Sequence, residues 1–278
     1  MHDETWLGPR IDVRPLLPEV HTALLALLRE LTAGDWLRAT VCPGWAVQDV
    51  AAHVLADHIG RLSIHRDDFQ SLAPRVDEAF PAFIHRINDE WVTAARRISP
   101  PLLIDLLSVT GEQMIDHWNA SDMSALAWPV SWAGPDPAPV WLDAARDFSE
   151  YWTHYQQISE AVHRQGLTQA KFLAPVLDTF LRALPHTLRD VEAAAGSAVE
   201  FTVTGRAGGT WTCTRTEHGW ALRTRPQPQP TATVSLDADT TWRLCTRGVT
   251  PAQARAHAIV HGDERLADAA LDIVSIIY

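Results

Sequence analysis

The sequence has few cysteines, no long apolar run and no concentration of basic residues. Its three cysteines, Cys42, Cys213 and Cys245, are far apart and form no CxxC pair. This odd, scattered set argues against a disulfide framework and against a thiolate-rich zinc site, and it suits a reducing compartment. No apolar stretch approaches the roughly 18 residues of a membrane-spanning helix, and the first ten residues lack a signal-peptide pattern. We therefore expect a soluble, cytoplasmic protein with no membrane partner.

The net charge and the length of the chain further limit the kinds of protein that the sequence can encode. The formal net charge is -11, and no lysine- or arginine-rich run is present. Because nucleic-acid binding requires a basic surface, we expect no nucleic-acid partner. At 278 residues, the chain is longer than most single domains, which favours two domains.

Apolar residues recur at three- and four-residue spacing through the first two-thirds of the chain, which predicts helices. A loop is expected from Trp128 to Pro139, where Pro129, Pro135, Pro137 and Gly134 interrupt the pattern. The predicted helices cover residues 20–37, 47–66, 76–98, 100–119, 140–165 and 168–192.

The pattern changes after Gly196 to short β-branched and aromatic runs separated by turns. This predicts an antiparallel sheet with strands at residues 199–204, 210–215, 220–224 and 232–236. Helices are expected at 239–247, 251–257 and 263–276. The fold class is thus α+β, with a helical bundle domain over residues 1–195 and a small α/β domain over residues 196–278.

The segment RDFSEYWTHYQQI, residues 146–158, is the most informative part of the chain. Glu150 and His154 are four residues apart, so their side chains lie on one helical face within reach of a single ion. Their aromatic and aliphatic neighbours make this helix apolar over most of its circumference, which predicts burial. A buried carboxylate beside an imidazole must be paired or bound to a metal.

A third ligand has to come from another helix, and His53 is the candidate. It stands among valines, alanines and Leu55 in the second predicted helix. Such a histidine is also compatible with a core position hydrogen-bonded to backbone. The small alanines beside it would let two helices approach closely enough to share an ion.

Two motifs carry a resemblance to a known family. The run TVCPGWAVQDVAAH, residues 40–53, resembles the CPGW…DVxxH signature of the mycothiol-dependent maleylpyruvate isomerase family, within the DinB/YfiT-like superfamily. RDFSEYWTHYQQI is similar to the second metal segment of that family. The segment from Trp242 to Pro251, with residues 261–264 and 274–277, resembles the small SCP2-like domain of these proteins.

The resemblance implies a DinB-like four-helix bundle, followed by an SCP2-like domain, with His53, Glu150 and His154 as metal ligands. Two imidazoles and one carboxylate suit Zn²⁺ with an open coordination position, although manganese, nickel and iron are also compatible. The family chemistry is a metal-bound low-molecular-weight thiol, mycothiol or an analogue, that adds to a small electrophilic or acidic substrate. The expected reaction is cis–trans isomerisation of a maleylpyruvate-like diacid, or thiol transfer.

An acidic substrate needs a cationic anchor, for which the resemblance implies an arginine of the small domain, Arg243 or Arg247. Arg61 lies two turns after His53 and is a further candidate near the metal. Trp128 and Trp132, in the loop that leads into the metal helix, are candidate pocket walls for the cofactor. Core packing is the alternative for these tryptophans, and a solvated surface is the alternative for the arginines.

Several histidines and one aspartate are less easily assigned. Asp57, one turn after His53, is either an acceptor that holds the His53 ring or a solvent-facing residue. If the metal were structural, a fourth protein ligand would close the site, and Asp57 or His58 would be the candidate. His58, His65 and His117 are expected at the surface or at helix ends. A non-catalytic metal-containing carrier of an apolar ligand is the alternative function, and either a monomer or a homodimer is compatible with the sequence.

Overall fold

The computed structural model describes residues 7–70, 72–134, 137–223 and 227–275. In chain order, the structure begins with the helices α1 (Leu17–Arg29), α2 (Ala33–Trp36), α3 (Val47–Arg61), α4 (Phe80–Ala95), α5 (Pro100–Ala120), α6 (Val140–Ala161), α7 (Ala170–Leu181) and α8 (Leu184–Thr187). Four strands follow: β1 (Ala198–Thr204), β2 (Gly209–Thr216), β3 (Gly219–Arg223) and β4 (Ala232–Asp237). The last elements are α9 (Ala238–Cys245), α10 (Pro251–His257), strand β5 (Ile259–Gly262) and α11 (Glu264–Leu271). A π-helix, Leu62–Arg66, continues directly from α3.

The chain forms two compact units, and α6 contributes to both. The bundle unit comprises Val13–Asp122 and Glu150–Leu167. The sheet unit comprises the described parts of Met1–Asp12, Met123–Ser149 and Thr168–Ile277. The predicted division of the chain between residues 195 and 196 remains a prediction.

The core of the bundle unit lies where α1, α3 and α5 pack together, with α4 against α3. Its apolar side chains recur at helical spacing, as in Leu103 and Leu107 of α5, which are fully buried. Helix α1 ends at Arg29 and a separate short helix, α2, begins after Thr32. The Thr32 hydroxyl accepts from the Asp35 N–H while the Asp35 carboxylate accepts from the Thr32 N–H, so a capping box starts the new helix.

The sheet unit contains a five-stranded sheet in the order β3-β2-β1-β4-β5. β1 pairs with β2 antiparallel, with Phe201 opposite Trp211, and with β4 parallel, with Phe201 opposite Val234. The apolar side chains of β1 and β4 are buried, and α9 and α11 pack on these strands. Helix α7 packs on β2, where the Trp211 indole N–H donates to Asp178 at 2.8 Å.

The α+β class predicted from the sequence is confirmed, and most helices and strands lie where their periodicity indicated. The differences include two predicted helices that are each divided in two, at 20–37 into α1 and α2 and at 168–192 into α7 and α8. In addition, the last turn of the second helix is π-helical, the β1–β4 pairing is parallel, and strand β5 was not predicted. All three cysteines are buried with free thiols. In the part of the chain that the structure describes, no helix combines the length and the apolarity needed to cross a bilayer.

Candidate metal centre

The turn before α3 fixes the direction in which that helix leaves. The backbone N–H and the hydroxyl of Thr40 both donate to the carbonyl of Trp45, at 3.0 and 2.9 Å. Gly44 has a φ of +79°, in the left-handed region that favours glycine. These contacts explain the CPGW motif as a tight turn rather than as a reactive cysteine site, since Cys42 is buried and burial raises the pKa of its thiol.

Asp49 then stabilises the first turn of α3. Its Oδ2 accepts from the backbone N–H of Ala46 at 3.0 Å, and its carboxylate pairs with the Arg96 guanidinium at 2.9 and 3.0 Å. An acidic residue in this turn also interacts favourably with the helix dipole. The aspartate of the DVxxH motif therefore anchors the helix one turn before His53.

His53 and His154, two of the three residues predicted as metal ligands, lie beside each other in the interior of the bundle unit. Their ring centroids are 4.9 Å apart and their planes are perpendicular. Exposed fractions are only 9% for His53 and 6% for His154. Helices α3 and α6 thus bring together two histidines that are about a hundred residues apart in sequence.

Each histidine has a carboxylate of its own helix beside it. Nε2 of His154 lies 3.6 Å from Oε2 of Glu150, and Nε2 of His53 lies 3.8 Å from Oδ2 of Asp57. His53, Asp57 and His154 each offer one ligand atom within 4.8 Å of the others. The sequence left Asp57 either as an acceptor for the His53 ring or in solvent, and the structure places its carboxylate at the cluster.

Both imidazoles are neutral at physiological pH. Burial lowers the pKa of His53 from 6.5 to about 4. Burial also lowers the pKa of His154 to about 4, with a further contribution from the nearby His53 ring. A neutral imidazole is the form that binds a metal ion.

The hydrogen bonds identify the nitrogen that His154 can offer. Its Nδ1 donates to Oε1 of Gln157 at 2.8 Å, which leaves the lone pair on Nε2. Within the described residues, this Nε2 and the Nδ1 of His53 are buried without a hydrogen-bond partner. Unpaired buried nitrogens of this kind are costly. An ion beside Nε2 of His154 would give that nitrogen a partner, and a ring nitrogen of His53 and the carboxylate of Asp57 lie near enough to be further donors. The residues present therefore fit a divalent cation.

Trp45 connects this cluster to a surface cleft. Its ring lies 5.2 Å from the His53 ring, centroid to centroid. The same tryptophan lines a cleft of about 550 Å³ together with Thr40, Cys42, Asp49 and Arg96. The Trp45 ring would therefore lie between a small molecule in the cleft and the His53 ring.

His58 was expected at the surface, and this was wrong. It is 2% exposed, its Nδ1 lies 2.8 Å from the Thr110 hydroxyl, and its ring packs edge-on against Tyr151. Its position five residues after His53 turns the ring toward α5 and α6 inside the bundle. Sequence periodicity could have indicated this, since His58 shares a helix face with the buried Val54 and Leu55.

The remaining candidate residues are divided between the two units. In the bundle unit, Arg61 donates to Nε2 of His65 at 3.1 Å and lies over the Trp118 ring at 5.9 Å. In the sheet unit, Trp128 is 57% exposed, whereas Trp132 is buried. The structure does not test their predicted contact with a cofactor.

The two arginines of the sheet unit have different surroundings. Arg243 donates to Asp239 at 2.9 Å and stacks on the Trp242 ring at 4.4 Å. Arg247 is exposed and follows the end of α9 with a φ of +56°, a left-handed conformation unusual for a residue other than glycine. Gly248 completes this helix end by donating to the Arg243 carbonyl at 2.7 Å.

The bundle unit is thus a helical bundle that brings two buried imidazoles together and places a carboxylate beside each of them. The model of the mycothiol maleylpyruvate isomerase N-terminal domain matches residues 17–159, which is just over half of the chain. The chain belongs to the mycothiol maleylpyruvate isomerase family, as the two sequence motifs indicated.

Solved structures agree with this assignment at the level of the fold. A crystal structure of the mycothiol-dependent maleylpyruvate isomerase superposes with a TM-score of 0.51 at 13% identity, over 83% of this chain and 86% of that chain. A histidine-to-alanine mutant of that enzyme gives a TM-score of 0.50 at 12% identity over the same shares. No curated protein matches the chain.

Proposed function

We propose that the protein is a metal- and thiol-dependent isomerase that converts a maleylpyruvate-like cis diacid into its trans isomer. The observation that carries the proposal is the cluster of two buried, neutral imidazoles with carboxylates beside them, in a chain of this family. His53, Glu150 and His154 would hold the ion, and zinc is the metal that best suits this donor set. Mycothiol or an analogue is the proposed thiol.

The ion, when bound, favours a thiolate over a thiol at neutral pH and so supplies a nucleophile that adds reversibly to the carbon–carbon double bond. The protein side chains then have three tasks. The carboxylate of Glu150 and the two imidazoles would hold the ion and so would determine where a thiol could bind. Gln157 holds the His154 ring so that Nε2, not Nδ1, faces the cluster. Burial of both rings keeps them unprotonated and available as ligands.

Arg247 is the better of the two candidate anchors for a substrate carboxylate. The Arg243 guanidinium already pairs with Asp239 and stacks on Trp242. Arg247 is exposed at the end of α9, so its guanidinium is accessible to a carboxylate. A guanidinium fork matches a carboxylate in two parallel hydrogen bonds. We therefore expect Arg247→Ala to raise KM for the diacid more than Arg243→Ala.

The family favours isomerisation over thiol transfer. The carrier alternative needs an apolar cavity in the sheet unit. There the inward-facing side chains of β1 and β4, such as Phe201 and Val234, are fully buried beneath α9 and α11. This packing gives no support to the carrier function.

Metal content and turnover test the proposal together. Purified wild type should contain about one divalent ion per chain by elemental analysis, and His154→Ala should contain far less. His257→Ala, at an exposed position on α10, is the matched control. Thiol-dependent conversion of the cis diacid, followed by NMR, should require both the metal and His154. Equal metal in wild type and His154→Ala would overturn the metal centre, and turnover without thiol would overturn the thiol dependence.

A further inference from the structure

Asp57 stands beside the proposed ligands on the same helix face as His53. Its carboxylate oxygen lies within 4.8 Å of a ligand atom of His53 and of one of His154. On α3 the histidine, His53, precedes the carboxylate, Asp57, by four residues. On α6 the carboxylate, Glu150, precedes the histidine, His154, by four residues. Each helix therefore contributes one imidazole and one carboxylate.

The separations within the two pairs are too long for hydrogen bonds. The nitrogen–oxygen distances of 3.8 Å for His53–Asp57 and 3.6 Å for His154–Glu150 exceed the usual limit of about 3.2 Å. Ligands bound tetrahedrally at about 2.0–2.1 Å stand roughly 3.3–3.4 Å from each other. Both pairs exceed this ligand spacing by a few tenths of an ångström, so a small side-chain movement would let each pair share one ion. Among the described residues, Asp57 is the carboxylate that lies within 4.8 Å of a ligand atom of both histidines, whereas Glu150 is placed beside His154 alone.

Exposure distinguishes the two carboxylates. The Asp57 side chain is 32% exposed, and that of Glu150 is 20% exposed. A carboxylate in contact with water can leave an ion at lower cost, because water solvates the charge that it regains. Asp57 is therefore the carboxylate better suited to moving away from the cluster.

We propose that Asp57 is a fourth protein ligand of the metal centre, and that the incoming thiolate displaces it. The proposal rests on the proposed function, since it assumes an ion at His53, Glu150 and His154. Two carboxylates would neutralise a divalent ion. If the bond from Asp57 to the ion breaks as the bond to sulfur forms, and the freed carboxylate takes up the proton that the thiol releases, the charge around the ion is unchanged. Adding the thiolate without displacement would leave one uncompensated negative charge in a largely buried site.

Cobalt substitution tests whether position 57 reaches the ion. Co²⁺ bound to a thiolate gives a near-ultraviolet sulfur-to-metal charge-transfer band, and the intensity of its visible bands depends on the number of ligands. Asp57→Cys loaded with Co²⁺ should therefore show the charge-transfer band. Asp105→Cys, at an exposed position on α5, is the matched control and should not show it.

The conservative variant Asp57→Asn tests the displacement. Loss of the carboxylate should weaken Co²⁺ binding by about 10- to 100-fold or more and change the visible spectrum. It should also lower, several-fold, the concentration of mycothiol needed to form the cobalt–thiolate band, because a weaker ligand is displaced. If Asp57 only accepts a hydrogen bond from His53, the spectrum of Asp57→Asn stays that of wild type and Asp57→Cys gives no band.

Failure of this inference is distinguishable from failure of the proposed function. If wild type binds Co²⁺ and His154→Ala does not, the three-ligand centre is supported. This holds even if both Asp57 variants behave like wild type, a result that would exclude only the fourth ligand. If wild type binds Co²⁺ no more tightly than His154→Ala does, the proposed metal centre does not exist, and Asp57 cannot be its fourth ligand.

Discussion

The imidazole of His154 is oriented by Gln157, whose Oε1 lies 2.8 Å from Nδ1 of the ring, three residues along the same helix. An amide oxygen can only accept a hydrogen bond, so the contact assigns the proton to Nδ1 and the lone pair to Nε2. The glutamine therefore determines which nitrogen His154 presents to the cluster.

Gln157→Leu should lower the affinity for Zn²⁺ by about 10- to 100-fold, because the ring loses the acceptor that fixes its orientation. Competition with a chromophoric chelator measures this. Gln157→Glu keeps an acceptor and should restore most of the affinity. Gln113→Leu, which removes a glutamine that bonds Arg66 on the outside of the bundle unit, should leave the affinity unchanged. Equal affinity in wild type and Gln157→Leu contradicts the orienting role.

The metal-free protein should lose stability as the pH falls from about 6.5 to about 4. The pKa values of His53 and His154 are lowered to about 4 in the folded state, so the unfolded chain binds these two protons at a higher pH. The free energy of unfolding therefore rises with pH in this window, by up to about 1.4 kcal/mol per pH unit for each histidine. Urea denaturation at pH 7, 6 and 5 measures the slope. His154→Gln should reduce it, and an unchanged slope in that variant would show that His154 does not contribute.

Asp49→Ala should destabilise the fold by about 1–3 kcal/mol, since Ala46 loses the acceptor of its N–H and a buried carboxylate is removed from the first turn of α3. Arg96→Ala is the comparison, because it removes the cation but leaves the Asp49 carboxylate bonded to the Ala46 N–H; we expect a smaller loss of stability than in Asp49→Ala. The comparison is made by urea unfolding at neutral pH. Equal losses in the two variants would assign the effect to the ion pair rather than to the helix start.

Gly111→Ala should destabilise the bundle unit, although alanine is the better helix former. A Cβ at this position of α5 meets the His21 ring on α1, and overpacking costs about 1–3 kcal/mol. In a His21→Ala background the clash is absent, so the same substitution should stabilise by up to about 1 kcal/mol. A double-mutant cycle by chemical denaturation measures the change of sign. The same sign in both backgrounds would contradict direct contact between the two positions.

Arg247→Gly should stabilise the fold and impair catalysis. Glycine adopts the left-handed φ of +56° without the steric penalty of about 1 kcal/mol that arginine bears. Thermal unfolding should show a higher Tm, while KM for the diacid rises if Arg247 binds its carboxylate. A higher Tm with unchanged KM would show that the arginine has no part in substrate binding.

Helical spacing was sufficient to predict that Glu150 and His154 share a face, and the small residues around His53 predicted a close approach of helices. Both predictions depend on local sequence, where periodicity is informative. Asp57 could not be assigned in the same way, because a residue one turn after His53 has similar spacing whether it faces the cluster or solvent. Whether Asp57 faces the cluster depends on where α6 packs against α3, and the local sequence pattern gives no information about that packing.

The sheet shows the same limit. Alternation in β1, β2 and β3 predicted strands and turns, since short connections allow only antiparallel pairing. β4 pairs with β1 rather than with β3, which precedes it in sequence, and so becomes parallel to β1. β5 has four residues, too few for a periodic pattern to stand out. The π-helical turn at Leu62–Arg66 also has no sequence signal, because its residues are compatible with an ordinary α-helix.

The division of the chain between the two units affects the order in which they can fold during synthesis on the ribosome. The bundle unit contains all four cluster side chains, and its described residues are complete once Leu167 has emerged. The sheet unit has to wait for strands and helices that extend beyond residue 270. Domains fold largely as units during translation. The proposed metal centre would therefore be complete on a nascent chain that lacks the whole sheet, and metal retention by ribosome-stalled chains of increasing length would measure whether it binds an ion at that stage.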